Sequence, residues 1–408
     1  MLKNNLYKNF VFFSLVINCC ILLIPSNYKI YPIIVLFLSS AFFYKKQESK
    51  NKFDFKKVLL LGALPLLYFA SMFQSLYVEM AFAKLTTMLS LLAYPIVFGL
   101  LEASGFKLEQ KKINVLFTTF VLSTVTFFMV SFIYFWRQEF TFYQTIIHYF
   151  NLIDIRLEKF SIHAIYYAIY IGVSILMTVE LIKNNTSRFY KIIYFLLAVF
   201  LSIVIVILMR KGPIIYLMVA LFFLLKIHFN IKKTIILIST AIVFLFLFTT
   251  IAPKYQNINR FNELISRDLN SNSESSLSIR YRIYGCVFEK IAENPLLGYG
   301  LGNVKSQLDS CYVSKNIDLS VKNYNSHNQF LSVCLTTGVL GLLLYLFSLY
   351  KVYGVLNTRK SKIGFVFFIF FILNFFTENI LERESGVLLY SFLISFFLFQ
   401  KEESSKVL

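Results

Sequence analysis

Arg210, Lys211, Arg280, Arg282 and His327 are the residues of this chain whose types could do chemistry together. Arginine offers a planar fork that grips phosphate oxygens two at a time, and lysine adds a mobile point charge. Histidine titrates near neutrality and suits proton transfer. Such a set can hold an anionic ligand and move a proton. Arg280 and Arg282 are two positions apart, so on a helix they diverge and at most one faces any single ligand. Glu378 and Glu382 share a helical face beside Arg383, as an ion-pair network or as the rim of the same cavity. His148 falls in an aromatic-rich segment, and His163 and His228 fall at helix ends. No His, Cys, Asp or Glu cluster has metal-ligand spacing, so neither a metal nor another cofactor is expected.

The elements that must position these residues are membrane helices. Of 408 residues 58% are hydrophobic and only 15% charged, with 47 Phe, 26 Tyr and a mean hydropathy of +0.68. A soluble domain has no use for so much apolar surface. Runs long enough to approach a bilayer's thickness lie near 8–25, 30–44, 58–77, 82–101, 113–136, 162–182, 190–209, 212–228, 234–252, 327–350, 363–380 and 386–399. The expected fold is therefore an all-α integral membrane protein with about 12 transmembrane helices and one large outer-face loop containing short helices. It divides into a bundle over 1–252, the loop over 253–326, and closing helices with a tail over 327–408. The first run lacks a small-residue cleavage pattern after Ile24-Pro25-Ser26 and reads as a span. Segment 137–160 is too polar to cross and too aromatic for open water, which places it along the interface.

Lys and Arg number 40 against 21 Asp and Glu, a net charge of +19. The excess is concentrated on one side, in connections 45–57, 102–112, 183–191, 226–233 and 351–362. The short connections of the other side hold only Lys29, Lys84, Arg137, Arg156, Lys159, Arg210, Lys211 and Arg383. This asymmetry puts both termini in the cytoplasm and the large loop outside. The basicity is thus a topology signal, and scattered cations of this kind exclude nucleic acid as a partner. Arg210-Lys211 sits on the outer side against that trend. Cations kept close to a membrane there face a polar cavity or an anionic ligand more readily than lipid.

Within the loop, 262–278 is a Ser/Asn-rich linker. Ile283, Val287 and Ile291 recur at helical spacing, flanked by Tyr284 and Phe288, and Asn294-Pro295 stops the helix. Gly298, Gly300 and Gly302 alternate in the turn that follows. A dinucleotide-binding turn would need a strand before it and a helix after it; here a helix precedes, so the glycines supply backbone freedom for a packed turn. Cys286 and Cys311 share the loop, and pairing between them is open in an oxidising compartment.

Arg280 with Tyr284, Asn294-Pro295-Leu296-Leu297-Gly298-Tyr299-Gly300, His327-Asn328-Gln329-Phe330-Leu331 and Gly338-Val339-Leu340-Gly341 together resemble the O-antigen ligase and O-antigen polymerase superfamily. Arg210-Lys211-Gly212 resembles that superfamily's upstream basic site, with Met209 where serine is usual. Tyr284 stands where tryptophan is common. The resemblance covers roughly 205–345. It implies an inverting, metal-independent glycosyltransferase of the bacterial inner membrane. The donor would be a glycan on undecaprenyl diphosphate, and the acceptor a lipid A-core sugar or another glycan. Arg210 and Arg280 would clamp the diphosphate, and His327 would act on the acceptor hydroxyl. Lys211, Arg282, Asn328, Tyr284, Gly298 and Gly300 would bind substrate. The ligase-like reading leads. A polymerase of lipid-linked repeats is the alternative, ahead of a protein O-glycan transferase or a non-enzymatic carrier, which would need matched halves that this chain lacks.

The orientation is testable with reporters. Alkaline phosphatase inserted after Ser273 should be active, whereas the same reporter in connection 102–112 should be silent; the reverse pattern would invert the topology.

Overall fold

The computed structural model describes residues 2–47, 51–138, 140–228, 276–315, 324–358 and 362–400. Among them every regular element is helical. In chain order these are α1 (Leu2–Cys19), α2 (Ile30–Lys46), α3 (Phe55–Leu61), α4 (Ala63–Ser71), α5 (Val78–Thr87) and α6 (Ser90–Ala103). Then come α7 (Gln110–Gln138), α8 (Phe142–Ile155), α9 (Ala164–Asn184), α10 (Arg188–Ile207) and α11 (Lys211–His228). The loop contributes α12 (Ser276–Glu293) and α13 (Val304–Ser314), and α14 (Gln329–Thr358), α15 (Lys362–Phe375) and α16 (Glu384–Phe399) close the bundle. Six helices are long and apolar enough to cross a membrane, or seven if a bent pair counts as one span, and further apolar helices are shorter. The chain is a multi-pass membrane protein. The run expected at 234–252 and the linker expected over 262–275 lie outside the described residues.

The run expected as a span near 58–77 is a bent pair of helices. α3 and α4 meet at 62°. Pro65 explains the break: it donates no hydrogen bond, and its ring collides with the carbonyl four residues back, at Leu61, where α3 ends. The expected loop helix starts at Ser276, a few residues into the predicted linker, and stops as expected before Asn294-Pro295. Segment 137–160 holds α8, which is closed by a capping box between Thr141 and Gln144.

α9 and α16 are buried on nearly all sides and form the centre, whereas α10 turns most of its surface outward. Aromatic pairs fill the core, including stacked Phe120 and Tyr170 (5.8 Å) and edge-to-face Phe371 and Tyr390 (5.3 Å). Hydroxyls tie helices together where water is absent: Ser174 donates to Thr124 (2.9 Å), and Tyr167 to the Thr124 carbonyl (2.9 Å). At the end of the bundle away from the loop, Lys57 pairs with Glu102 (2.7 Å) and His228 with Glu180 (2.8 Å).

The most consequential departure from regular geometry is in α14, where Gly338 breaks the helix with φ +69° and ψ −176°. The glycine turn of the loop fills the break. Tyr299 and Gly300 donate their N–H groups to the carbonyls of Leu335 (2.8 Å) and Thr336 (3.0 Å), and Val339 donates to the Pro295 carbonyl (2.8 Å). The two backbones nearly touch: a Cβ on Gly338 would collide with the Leu296 carbonyl, and one on Gly298 would lie 2.6 Å from the Gly338 nitrogen. The same turn grips the segment after α4. Asn303 accepts from Leu76 N–H (2.9 Å) and donates to the Gln74 carbonyl (3.1 Å), while Gly302 N–H reaches Ser75 Oγ (3.0 Å). Cys286 and Cys311 form a disulfide that joins α12 to α13. Around it Ile283, Val287, Leu308 and Tyr312 make a small separate core against Leu335 of α14.

Gly338→Ala should lower the melting temperature of the detergent-purified protein, with a cost of about 1–3 kcal/mol for the strained backbone and more for the clash. Gly354→Ala in the same helix, where a Cβ meets nothing within 4 Å, should be neutral or stabilising. Equal melting points for the two variants would remove the joint from the account. Denatured but unreduced protein should take up maleimide at Cys19, Cys20 and Cys334 alone, and at all 5 cysteines after reduction. Labelling of every cysteine without reductant would exclude the disulfide.

Candidate functional site

The loop end of the bundle gathers residues from four separate stretches. The turn Asn325-Ser326-His327-Asn328 opens α14. Asn328 Oδ1 accepts from the N–H groups of Phe330 (2.9 Å) and Leu331 (3.1 Å), which caps the helix. Its Nδ2 donates to the Phe376 carbonyl (3.0 Å), tying the start of α14 to the end of α15. Asn325 Oδ1 takes the His327 N–H (3.0 Å). His327 is left in a left-handed conformation, φ +43°, that β-carbon-bearing residues rarely hold.

Facing this turn is Glu378, just past α15 and only 6% exposed. It is the centre of the cluster. Oε1 accepts from Arg280 Nη2 at 2.7 Å, and Oε2 lies 3.4 Å from His327 Nδ1. Arg280 comes from the first turns of α12, and so does Tyr284, whose hydroxyl donates to the His327 carbonyl (3.4 Å). Burial pushes the Tyr284 hydroxyl above its ordinary range, with Arg280 pulling the other way and Glu378 adding to the rise. Tyr324 packs its ring 5.3 Å from that of His327. Below Glu378, Asn379 donates to Glu382 (3.1 Å), which also accepts from Ser332, and Gln329 takes the Leu381 N–H (2.8 Å).

Arg210 and Lys211 stand at the start of α11. Met209 before them is left-handed, φ +51°, because it ends α10 where glycine would ordinarily sit. Gly212 lets this helix start approach closely: a Cβ there would come within 3.2 Å of Thr377 Oγ1, the neighbour of Glu378. The Arg210 guanidinium lies over the Phe150 ring at 5.4 Å. His163 caps α9 through Nδ1 (3.4 Å to Ile165 N–H) and sits 3.8 Å from Asp154 through Nε2. Its pKa is lowered, by burial first and then by the charge of Arg210. The basic site and the His327 cluster thus occupy one end of one bundle.

The predicted residues therefore separate into groups. Arg280, Tyr284, Asn328 and His327 converge around Glu378, and Arg210 and Lys211 begin the helix that meets Thr377. Arg282 diverges from Arg280, and its buried Nε finds no hydrogen-bond partner among the described residues. Asn328 has both ends of its amide engaged in holding the turn. Gly298 and Gly300 sit in the joint with α14, beside Leu335 and Thr336, about two helical turns from His327. In the sequence Glu378 reads only as part of an ion-pair network or as the rim of the same cavity, with no role of its own, and His163 only as a helix-end residue. Glu378 carried a hint, an acidic residue at the end of an apolar run on the loop side. His163 had the sequence surroundings of an ordinary helix cap.

Among the described residues no group of three or more His, Cys, Asp and Glu could hold a metal ion. No curated protein matches the chain. The family model described as O-antigen ligase matches residues 196–346, a stretch that holds Arg210, Arg280 and His327 and the joint between the glycine turn and α14. Over those residues, somewhat more than a third of the chain, the sequence is similar to the O-antigen ligase family.

Proposed function

We propose that this chain is a membrane-embedded, O-antigen ligase-like glycosyltransferase. It would move a glycan from undecaprenyl diphosphate to an acceptor hydroxyl, a lipid A-core sugar in the leading reading. On this reading the loop end faces outward from the inner membrane and both termini are cytoplasmic. The observation that carries it is the shared carboxylate, Glu378, which joins a phosphate-type cation to a histidine beside a second basic helix start.

The acceptor oxygen attacks the anomeric carbon as the bond from that carbon to the diphosphate oxygen breaks, and the configuration inverts. The electron pair leaves with the diphosphate. Arg280, Arg210 and Lys211 neutralise it, helped by the N–H groups of the first turn of α11. The acceptor proton passes to His327 Nε2. Glu378 keeps a proton on Nδ1, so that Nε2 presents its lone pair, and then stabilises the imidazolium that forms. Arginine has five donors, enough for Arg280 to keep Glu378 while it takes a phosphate. A lipid diphosphate is a good leaving group, so cations can do here what a metal does elsewhere. Phosphate clamps at a helix start and a carboxylate-oriented base also serve a polymerase, which joins lipid-linked repeats and differs only in the acceptor.

A strain lacking the protein, complemented with wild type, Arg280→Ala, His327→Ala or Glu378→Gln, separates these readings by lipopolysaccharide gels. Bare lipid A-core with free lipid-linked polymer in the variants marks a ligase; core capped with a single repeat marks a polymerase. With purified protein, undecaprenyl-diphosphate glycan and a chelator present, His327→Ala should slow transfer about 10²–10⁴-fold. Wild-type turnover by both Arg280→Ala and His327→Ala would sink the assignment.

A further inference from the structure

Leu296 and Leu297 are 63% and 54% exposed, on a turn whose backbone is fixed rigidly to α14. Two large apolar side chains held outward by three hydrogen bonds are not a fluctuating loop tip. Where they are held matters more. From Ser332 to Gly338 α14 is covered by protein, and its surface opens at Val339 and Leu340. Beyond that point Leu343, Leu344 and Phe347 are each more than half exposed and form the lipid-facing stripe of a helix apolar enough to span.

The depth can be bounded from both ends of that helix. From Val339 to Thr358 is roughly 20 residues, about 30 Å at 1.5 Å each, the thickness of a hydrocarbon core. With the inner boundary at Thr358, Gly338 lies at the other boundary. With the inner boundary nearer Lys351, whose side chain can snorkel, Gly338 lies inside the hydrocarbon. Leu296 touches Gly338 through its own backbone. Farther up the same loop, Phe288 of α12 is also exposed (57%), one turn from Gly285, where a Cβ would meet nothing.

We infer that the Leu296-Leu297 turn is a membrane anchor: both side chains insert among the acyl chains of the leaflet on the loop side, continuing the lipid-facing surface of α14. The partner is the bilayer itself. The turn then fixes the height of α12, and with it Arg280, relative to the plane in which a lipid-linked diphosphate must sit. The insertion rests on the multi-pass character of the chain and not on the reaction proposed above, so the two can fail separately.

The chain's 1 tryptophan, Trp136, makes the test clean. In a Trp136→Phe background, Leu297→Trp, Leu296→Trp and Ser310→Trp are each reconstituted in nanodiscs of phosphatidylcholine with or without bromine on the acyl chains. Ser310 is an exposed position on α13 and serves as the water-facing reference. The indole at 297 or 296 should lose most of its emission to brominated lipid and little to aqueous iodide, with the opposite response at 310. Iodide quenching without bromine quenching at 296 and 297 would show a turn facing water or a soluble partner. Protection from both quenchers would show it covered by protein. Either result overturns the anchor.

Discussion

A chain that crosses a bilayer must satisfy each of its backbone hydrogen-bonding groups from within, and the break at Gly338 leaves some of them without the helix's own partners. The carbonyls of Leu335 and Thr336 and the N–H of Val339 are met by residues 295–300. Everything at the loop end follows from that exchange. The loop is attached to the bundle by main-chain bonds at close approach, with little dependence on side-chain fit. Because the turn also holds the segment after α4 through Asn303, two irregular places in the bundle are sealed by one irregular piece of loop. The disulfide and the small core around it then carry this fixed point to α12, and α12 carries Arg280.

The electrostatics of the cluster follow from sharing. Glu378 is nearly buried, and a carboxylate in that position needs compensation. Arg280 supplies it at 2.7 Å, and His327 stands on the other oxygen. Removing one partner of a fully buried pair costs about 3–5 kcal/mol, and somewhat less here because Arg280 keeps a 27% exposed side chain. The left-handed backbones of His327 and Met209 belong to the same economy of strain: each sits within one residue of a charge-bearing part of the site.

Much of this was legible in the sequence, and the limits have physical causes. The helical character followed from apolar runs, the end of α12 from Asn294-Pro295, and the divergence of Arg280 and Arg282 from helical geometry. The three alternate glycines announced a packed turn, yet nothing local said that its partner was another glycine some forty residues away. Gly338-Val339-Leu340-Gly341 lies inside the apolar run read as one span at 327–350, so the break in α14 was hidden. Pro65 was visible, but hydropathy alone bridged it into a single span. Glu378 lies 98 positions from Arg280, and only the fold brings a carboxylate so distant to the arginine. His163 had the same difficulty in milder form.

The order of the chain gives this arrangement a timetable. α11, with its basic start, leaves the ribosome well before α12, and α12 well before the break in α14 that receives the glycine turn. Until residues 335–339 have been made and inserted, the turn has no acceptors to meet. Until Glu378 follows, neither Arg280 nor His327 has its counter-charge. The cations proposed above to hold a diphosphate are therefore present early, and the carboxylate of the cluster, Glu378, is added only after α15. A partly inserted chain would carry these basic side chains without Glu378, and on the proposed function competence would arrive in one step, when the closing helices are in place.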